Sequence, residues 1–255
     1  VRLADTSTAA PITGGGRFLA FAPGGMNDSG ESAFFGAVTD NLNIGAGIFT
    51  ADAGGLISRI TEEGASVPGF ENAFFTTLTR PTIGEGGQVV FRGVGDNGTN
   101  IRGGLFLFDN GLLSAIALGN QAAPGGGTFD AAATSFSLAS RVSATGATAF
   151  RAVLNGTSSS AGVFVSSKGT LSRVLGVGDS LFNDTVTVVG TPSVDDQGNV
   201  VVDYGLANGQ TGILRATILT SAPEPGTLAL LSLAALPIVG ALRRKHKKGA
   251  SQHGL

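Results

Sequence analysis

Glycine recurs along this chain with a period of about 57 residues, and a repeat of that length is the feature that most constrains the fold. The first marker is the segment 27–36, and its leading glycine returns after 57, 59 and 52 residues, at Gly30, Gly87, Gly146 and Gly198. A second marker, Gly followed by two apolar residues, keeps the same phase at 47–49, 104–106, 162–164 and 212–214. A third, Gly-x-x-Ser, follows at 55–58, 111–114 and 169–172. Three markers in register indicate copies of one structural unit.

Each unit predicts short strands joined by turns, and no helical periodicity is sustained in residues 1–220. Asn110-Gly111 and Lys168-Gly169 stand between apolar runs, which is typical of hairpins. Within one unit, strands are predicted at 33–36, 47–50, 56–60 and, after a Pro-Gly bend, 74–78; the segment 135–138 follows the corresponding bend of the next unit. Four short strands are what a propeller blade requires. The predicted fold is all-β, a β-propeller-like array of about four four-stranded units, or part of a larger propeller.

The predicted ectodomain spans residues 1–220, with units near 27–83, 84–142, 143–194 and 195–220 and a partial unit at 1–26. Residues 1–5 match a third strand, and 8–11 with Phe18 match the bend and the strand after it. The last unit stops after its second strand. Two outcomes stay open: the partial units join and close a ring of about four blades, or the array is the C-terminal part of a longer one.

The motif Asn27-x-x-Gly30-x-x-Ala33-Phe34 resembles the NxxGxxAF tandem repeat of bacterial surface proteins that carry interchangeable C-terminal anchors. Later copies depart from it, with Gly84 or Ser143 in place of Asn. The resemblance supports the repeat architecture and carries over no assigned activity. It gives a structural role to Asn27, Gly30, Ala33, Phe34, Gly87, Phe91, Gly146, Phe150 and Gly198.

The C-terminal residues have three parts: a Pro-Glu-Pro linker at 221–225, an uncharged run at 226–242 and a basic end at 243–255. As a helix the run would extend roughly 25 Å, near the lower limit for crossing a bilayer. Pro237 lies inside it, which membrane helices tolerate. The sequence therefore predicts a transmembrane helix with a basic cytoplasmic tail. The alternative is a buried helix of a globular domain.

This tail is similar to the PEP-CTERM sorting signal of Gram-negative bacteria. The resemblance implies that an exosortase, a membrane transpeptidase, recognises Pro223, Glu224 and Pro225 and cuts nearby. It implies that Arg243 and Arg244 act as a retention stop. Residues 246–255 extend the tail beyond the length usual in that family.

The expected location is the cell envelope or the extracellular space, with the C-terminal helix as a membrane anchor before processing. A secretory signal peptide is not present in this chain, although the tail demands export. We therefore expect the sequence to be truncated at its N-terminus.

Composition excludes several function classes for residues 1–222. They carry 11 Lys and Arg against 17 Asp and Glu, a net charge of −6, which disfavours binding to nucleic acid. The chain has no cysteine, and both histidines, His246 and His253, lie in the tail. A Ser-His-Asp triad and a histidine-ligated metal are thereby excluded from this region.

Carboxylate chemistry and calcium binding remain. Segments 27–30 and 195–199 are rich in Asn and Asp around a Gly, but each lacks a complete calcium-loop ligand set, and Asx-Gly turns explain them equally. Glu62, Glu63 and Glu71 form an acidic cluster, which suits paired-carboxylate hydrolysis or simply a solvated loop. Asn97-Gly98-Thr99 and Asn155-Gly156-Thr157 match the N-glycosylation pattern at predicted hairpin tips.

The leading hypothesis is a non-enzymatic surface or matrix protein with no catalytic residue, no metal ligand and no cofactor. Its expected partners are the membrane, an exosortase-type transpeptidase, and exopolysaccharide or other surface proteins. One alternative is a propeller-type glycoside hydrolase or lyase that uses carboxylates. The other is a calcium-stabilised adhesion module.

Overall fold

A computed structural model describes residues 2–40 and 43–217, and only the backbone for 138–141. The predicted all-β class is confirmed: the described elements are antiparallel strands, with a single 3-10 turn at Ala133–Ser135. The linker, the transmembrane helix and the basic tail predicted from residue 221 onward lie outside the described residues. Within the described ranges, no helix has the length and apolar character needed to cross a membrane.

In the described part of the chain, nineteen strands form four sheets. The first sheet contains β1 (Arg17–Met26), β2 (Ser32–Thr39), β3 (Ile44–Ala51) and β4 (Ile57–Glu62). The second contains β5 (Phe74–Leu78), β6 (Thr82–Ile83), β7 (Val89–Asp96), β8 (Ile101–Asp109) and β9 (Leu112–Leu118). The third contains β10 (Thr128–Phe129), β11 (Phe136–Val142), β12 (Thr148–Asn155), β13 (Ala161–Ser167) and β14 (Thr170–Gly176). The fourth contains β15 (Ser180–Leu181), β16 (Asp184–Val189), β17 (Ser193–Val194), β18 (Val200–Leu206) and β19 (Thr211–Ala216).

Strands that follow one another in the chain are mostly neighbours in the sheet, in the order β1-β2-β3-β4 and its equivalents. The two main repeat markers lie on the central strands. Their phenylalanines face each other, Phe34 opposite Phe49 in the first sheet and Phe91 opposite Phe106 in the second. The strands predicted at 33–36, 47–50, 56–60 and 74–78 are confirmed. The strand predicted at 135–138 begins at Phe136.

The sequence repeat and the sheets are out of phase by one strand. The strand after each Pro-Gly bend pairs with the marker strand of the following unit, so β5 pairs with β7 and not with β4. Each of the first three repeats therefore supplies three strands to one sheet and the first long strand to the next. The chain therefore passes from one sheet to the next inside a repeat, between its third strand and the strand after the bend.

The same turn precedes every sheet. A backbone N–H donates to the carbonyl three residues earlier, and the four pairs are Thr8 to Asp5, Ala65 to Glu62, Gln121 to Leu118 and Asp179 to Gly176. The predicted third strand at residues 1–5 is not found: residues 2–5 lie outside the strands. A third strand needs the second marker strand of its sheet as a partner, as β4 pairs with β3. In the fourth sheet that partner would be β19, and β19 pairs with β18 alone among the described strands.

The apolar core runs from sheet to sheet. Ala33 and Ile48 of the first sheet pack in one cluster with Phe75, Phe91 and other side chains of the second. Leu105 and Ala117 of the second sheet pack with Phe129 and Phe136 of the third. Ala149 and Val163 of the third sheet pack with side chains of the fourth, including Val186 and Val200. Each of the first three sheets is thus covered by the one that follows it.

Candidate functional site

Four equivalent turns introduce the marker strands, at 27–31, 84–88, 143–147 and 195–199. In each, the first backbone N–H donates to the carbonyl of the fifth residue, and the N–H of the fourth residue, a glycine, donates to the carbonyl of the first. The glycines have φ near +80°, a conformation that favours glycine. The recurring glycine of the repeat is therefore required by turn geometry.

The first turn binds the second one. Asn27 Oδ1 accepts the Glu31 N–H at 2.9 Å, and Asn27 Nδ2 donates to Glu31 Oε2 at 2.8 Å. The same Nδ2 donates to the carbonyl of Gly84 at 3.4 Å, and the Asp28 N–H donates to Glu85 Oε2 at 2.8 Å. Residues 27 and 84, like 28 and 85, hold equivalent places in their turns. Polar groups of the marker thus join the first repeat to the second.

The fourth turn is closed by a carboxylate. Asp195 Oδ1 accepts the N–H groups of Gln197 and Asn199 at 2.9 and 2.8 Å, and Oδ2 accepts from Asn199 Nδ2 at 2.7 Å. The Asn199 side chain is the main reason that the pKa of Asp195 lies below its ordinary value. In the part of the chain that the structure describes, no three His, Cys, Asp or Glu side chains are grouped to hold a metal ion.

An open cleft of about 610 Å³ lies beside β4, bordered by Ile12 and Thr13, by the β2–β3 hairpin and by residues 59–65. Arg59 Nη1 donates to Glu62 Oε1 at 2.7 Å and to Thr13 Oγ1 at 2.8 Å. Glu62 Oε2 accepts the Thr13 N–H at 3.2 Å. The cleft therefore contains a guanidinium and carboxylates, with Glu63 and Asp40 also in its wall.

The two adjacent glutamates differ in acidity. Burial tends to raise the pKa of Glu62, but hydrogen bonds from Thr13 and Arg59 outweigh it, and the pKa lies below its ordinary value. Burial raises the pKa of Glu63, partly offset by a hydrogen bond with the Ala46 backbone. Such a difference is what an acid and base pair needs. All three carboxyl groups in the wall come from one repeat, and Glu71 lies elsewhere, in a depression lined by Phe70 and Phe74.

A family model matches residues 1–188, described as a family of unknown function, DUF7453. The chain belongs to the DUF7453 family. The match covers the first three sheets of this family member completely and ends inside β16 of the fourth. The turns at 27–31, 84–88 and 143–147 and the cleft beside β4 lie within it. No curated protein matches the chain.

The structure places the predicted repeat residues of this DUF7453 protein in its turns and core. Asn27, Ala33, Phe34, Phe91 and Phe150 are buried. Gly30, Gly87, Gly146 and Gly198 hold the positive-φ positions of the four turns. The predicted sorting residues Pro223, Glu224, Pro225, Arg243 and Arg244 lie outside the described residues.

Both sites with the glycosylation pattern lie at hairpin tips, where their amide groups are used internally. Asn97 Oδ1 accepts the N–H groups of Thr99 and Asn100 at 3.1 and 2.9 Å. Asn155 Nδ2 donates to Asp130 Oδ2 at 2.8 Å. A turn role therefore accounts for Asn97, and a contact with the segment before β11 accounts for Asn155.

Sequence reasoning missed two arginines that join sheets. Arg92 Nη1 donates to the Phe136 carbonyl at 2.9 Å, and Arg151 Nε donates to the Val189 carbonyl at 3.0 Å. In each case the donor lies on the strand that carries the first marker, β7 or β12. The acceptor lies on the first long strand of the next sheet, β11 or β16. The signal was present, since each arginine directly follows the marker phenylalanine, Phe91 or Phe150.

Proposed function

We propose that this chain is an exported bacterial envelope protein whose repeat domain is a non-enzymatic scaffold. The domain is a propeller-like array of about four sheets, and a PEP-CTERM-type signal delivers it to the cell surface or extracellular matrix. The membrane and an exosortase-type transpeptidase are its partners in sorting. Exopolysaccharide or other surface proteins are its partners after export.

The observation that carries the scaffold role is that polar groups in the marker turns and on the marker strands make internal hydrogen bonds. Asn27 and the Asp28 N–H bind the neighbouring turn, and Arg92 and Arg151 bind backbone carbonyls of the neighbouring sheet. Both carboxylate oxygens of Asp195 accept hydrogen bonds from its own turn. These groups serve connection and turn geometry, which is what an array built by stacking units requires.

The propeller-like arrangement is supported by the order of strands and by the contacts between sheets. Each sheet follows the chain order of a blade. The third long strand of one sheet lies against the first long strand of the next, in the contacts β3 with β5, β8 with β11 and β13 with β16. One contact repeated three times generates a regular array.

The sorting role rests on the sequence of the tail. The test is to express the full chain, behind a secretory signal peptide, in a Gram-negative host with and without an exosortase. We expect a shortened protein only where the enzyme is present. Glu224→Gln should stay at full length, and Glu71→Gln, a change of the same kind in a surface loop, should be processed normally. Equal processing of Glu224→Gln and the unaltered protein, measured by mass spectrometry, would overturn the proposal.

A carboxylate hydrolase or lyase is the second candidate, and the cleft beside β4 favours it. Glu63 has a raised pKa and Glu62 a lowered one, next to the Arg59 guanidinium. The test is the release of reducing ends from acidic and neutral exopolysaccharides. Activity that Glu63→Gln abolishes and Glu71→Gln leaves intact would establish the enzyme. Activity that survives Glu62→Gln and Glu63→Gln would remove this candidate.

A further inference from the structure

Four apolar side chains are exposed at places where every other sheet buries its side chain. Two lie on the fourth sheet: Val201, 38% exposed, and Ile213, 76% exposed. Two lie on the first sheet: Phe21, 38% exposed, and Met26, 72% exposed. We name the first pair the rear face and the second pair the front face. Apolar positions that are exposed here but buried in every equivalent sheet indicate an interaction surface.

The strand registers define the equivalent residues of the rear face. Val201 corresponds to Ala33, Val90 and Ala149, and Ile213 corresponds to Ile48, Leu105 and Val163. All six are buried, at 1% exposure or less. Ile48, Leu105 and Val163 each belong to a cluster with side chains of the following sheet. In the first three sheets the following sheet covers the rear face.

The strand registers also define the residues that are equivalent to the front face in the other sheets. Phe21 corresponds to Leu78, Phe136 and Val189, and Met26 corresponds to Ile83, Val142 and Val194. All six are buried. Leu78 shares a cluster with Ile48, Phe136 with Leu105, and Val189 with Val163. The front face of one sheet therefore packs on the rear face of the sheet before it, three times in this chain.

We propose that the rear face of the fourth sheet binds the front face of the first sheet in a second copy of this chain. The contact continues the sheet-to-sheet packing already repeated inside each molecule. Among the described residues, no sheet follows the fourth one to cover its rear face. The first sheet of the same chain does not cover the rear face either, because both faces are exposed together.

The N-terminal residues identify the same partner independently. Arg2-Leu3 occupies the place of Arg59-Ile60 and Arg173-Val174, as the shared turn after Asp5, Glu62 and Gly176 shows. In the first sheet Thr61 pairs with Ile48, and Glu62 pairs with Gly47. By the same register, Ala4 and Asp5 of the second copy lie opposite Ile213 and Gly212. That copy then adds a strand on the side of β19 where no described strand pairs.

The contact between copies is head-to-tail, so it produces a ring where the rotation closes and a filament where it does not. It differs from the internal contacts in one respect. Asp203 stands where the second and third sheets have Arg92 and Arg151, and an aspartate cannot donate to the carbonyl of Phe21. Apolar packing and the added strand therefore hold the copies together.

Site-specific cross-linking of the full chain in detergent tests this contact, since the chain has no cysteine of its own. Phe21→Cys and Ile213→Cys variants are mixed and treated with a short bismaleimide. We expect a cross-linked pair that contains one chain of each kind. Val201→Asp, added to the Ile213→Cys chain, should reduce the yield roughly tenfold or more because it puts a charge in the apolar contact.

The matched control is Leu112→Asp in the same Ile213→Cys chain. Leu112 is 69% exposed, and its equivalents Leu56 and Thr170 are exposed as well, so no face is altered. We expect an unchanged yield. Equal cross-linking of Phe21→Cys with itself, or with Leu112→Cys, would overturn the head-to-tail contact. Cross-linking within one molecule of a Phe21→Cys/Ile213→Cys double variant would overturn the second copy as occupant.

Discussion

The second and fourth sheets fill equivalent core positions with different side chains. The second sheet uses phenylalanines, and the fourth uses smaller aliphatic side chains together with one tyrosine. In the second sheet, the Phe75 and Phe106 rings meet edge to face at 4.9 Å, and Phe91 stacks on Phe106 at 5.6 Å. The first and third sheets repeat this geometry to within 0.2 Å. In the fourth sheet the three equivalent residues are Val186, Val202 and Leu214.

In the fourth sheet, a bulky side chain at another position fills the space that the smaller side chains leave. Gly93 of the second sheet, which lies under the rings, is replaced by Tyr204. The Tyr204 ring lies over Gly212, at the place where Phe106 lies over Gly104. The backbone thus specifies a volume to be filled, and not which strand must fill it. This exchange also explains why the fourth copy of the repeat is the least recognisable.

Removing a ring should separate the two sheets most clearly. Phe106→Ala should lower the free energy of unfolding by about 3–5 kcal/mol, because it leaves a large cavity among fully buried side chains. Leu214→Ala should cost less, since Leu214 is only partly buried. Urea unfolding followed by circular dichroism measures both. Equal losses would show that the two cores are equally well packed.

The exchange of volume can be tested by transplanting it. Gly93→Tyr alone should destabilise the protein, because even a Cβ at this position would lie 2.9 Å from the Phe75 ring. Phe106→Leu alone leaves a cavity. Together they should cost at least about 1 kcal/mol less than the sum of the single changes, since the new ring occupies the vacated space. Additive losses in a double-mutant cycle would argue against the volume exchange.

The arginines that join sheets should give a smaller difference. Arg92→Met keeps the apolar stem but leaves the Phe136 carbonyl without its 2.9 Å donor, which should cost about 1–2 kcal/mol. Arg215→Met in the fourth sheet is the control. Arg215 is exposed and lies 4.0 Å from Asp195, so its loss should stay within about 0.5 kcal/mol. Indistinguishable unfolding midpoints would remove Arg92 as a connector.

The smallest expected difference is a pH dependence in the turns. The fourth turn begins with Asp195, whose pKa is lowered by Asn199, whereas the second begins with Gly84, which has no side chain. A lowered pKa means that the carboxylate stabilises the fold above the ordinary aspartate pKa and that this contribution is lost as pH falls below it. Asp195→Asn should flatten the fall in stability between pH 5 and pH 2, roughly the range over which aspartate titrates. Gln197→Ala, an exposed change in the same turn that removes no titrating group, should leave it unchanged.

The elements that sequence predicted well are those determined by neighbouring residues. The Asn-Gly and Lys-Gly turns at 110–111 and 168–169 join strands as expected, with both first residues at positive φ. The marker glycines take the same conformation. Apolar alternation also located the buried phenylalanines. In each case a few adjacent residues carry the whole signal.

What sequence could not give depends on residues far apart. The sheet to which Phe74–Leu78 belongs is decided by a partner strand 15 or more residues away. The cleft beside β4 exists because Thr13 reaches Glu62, 49 positions along the chain. Tyr204 reads as an isolated tyrosine until the register places it opposite Gly212. Long-range pairing therefore leaves little trace in any local window.

The one-strand offset between repeat and sheet bears on how such a protein changes length over generations. Because each of the first three copies contributes its last long strand to the sheet of the following copy, duplication or loss of one such copy inserts or removes an intact sheet and leaves the pairing of the other strands unchanged. Recombination between any two matching points in the gene yields the same result. Arrays with different numbers of sheets can thus arise from a single ancestral gene, and each keeps the strand pairing that folding requires.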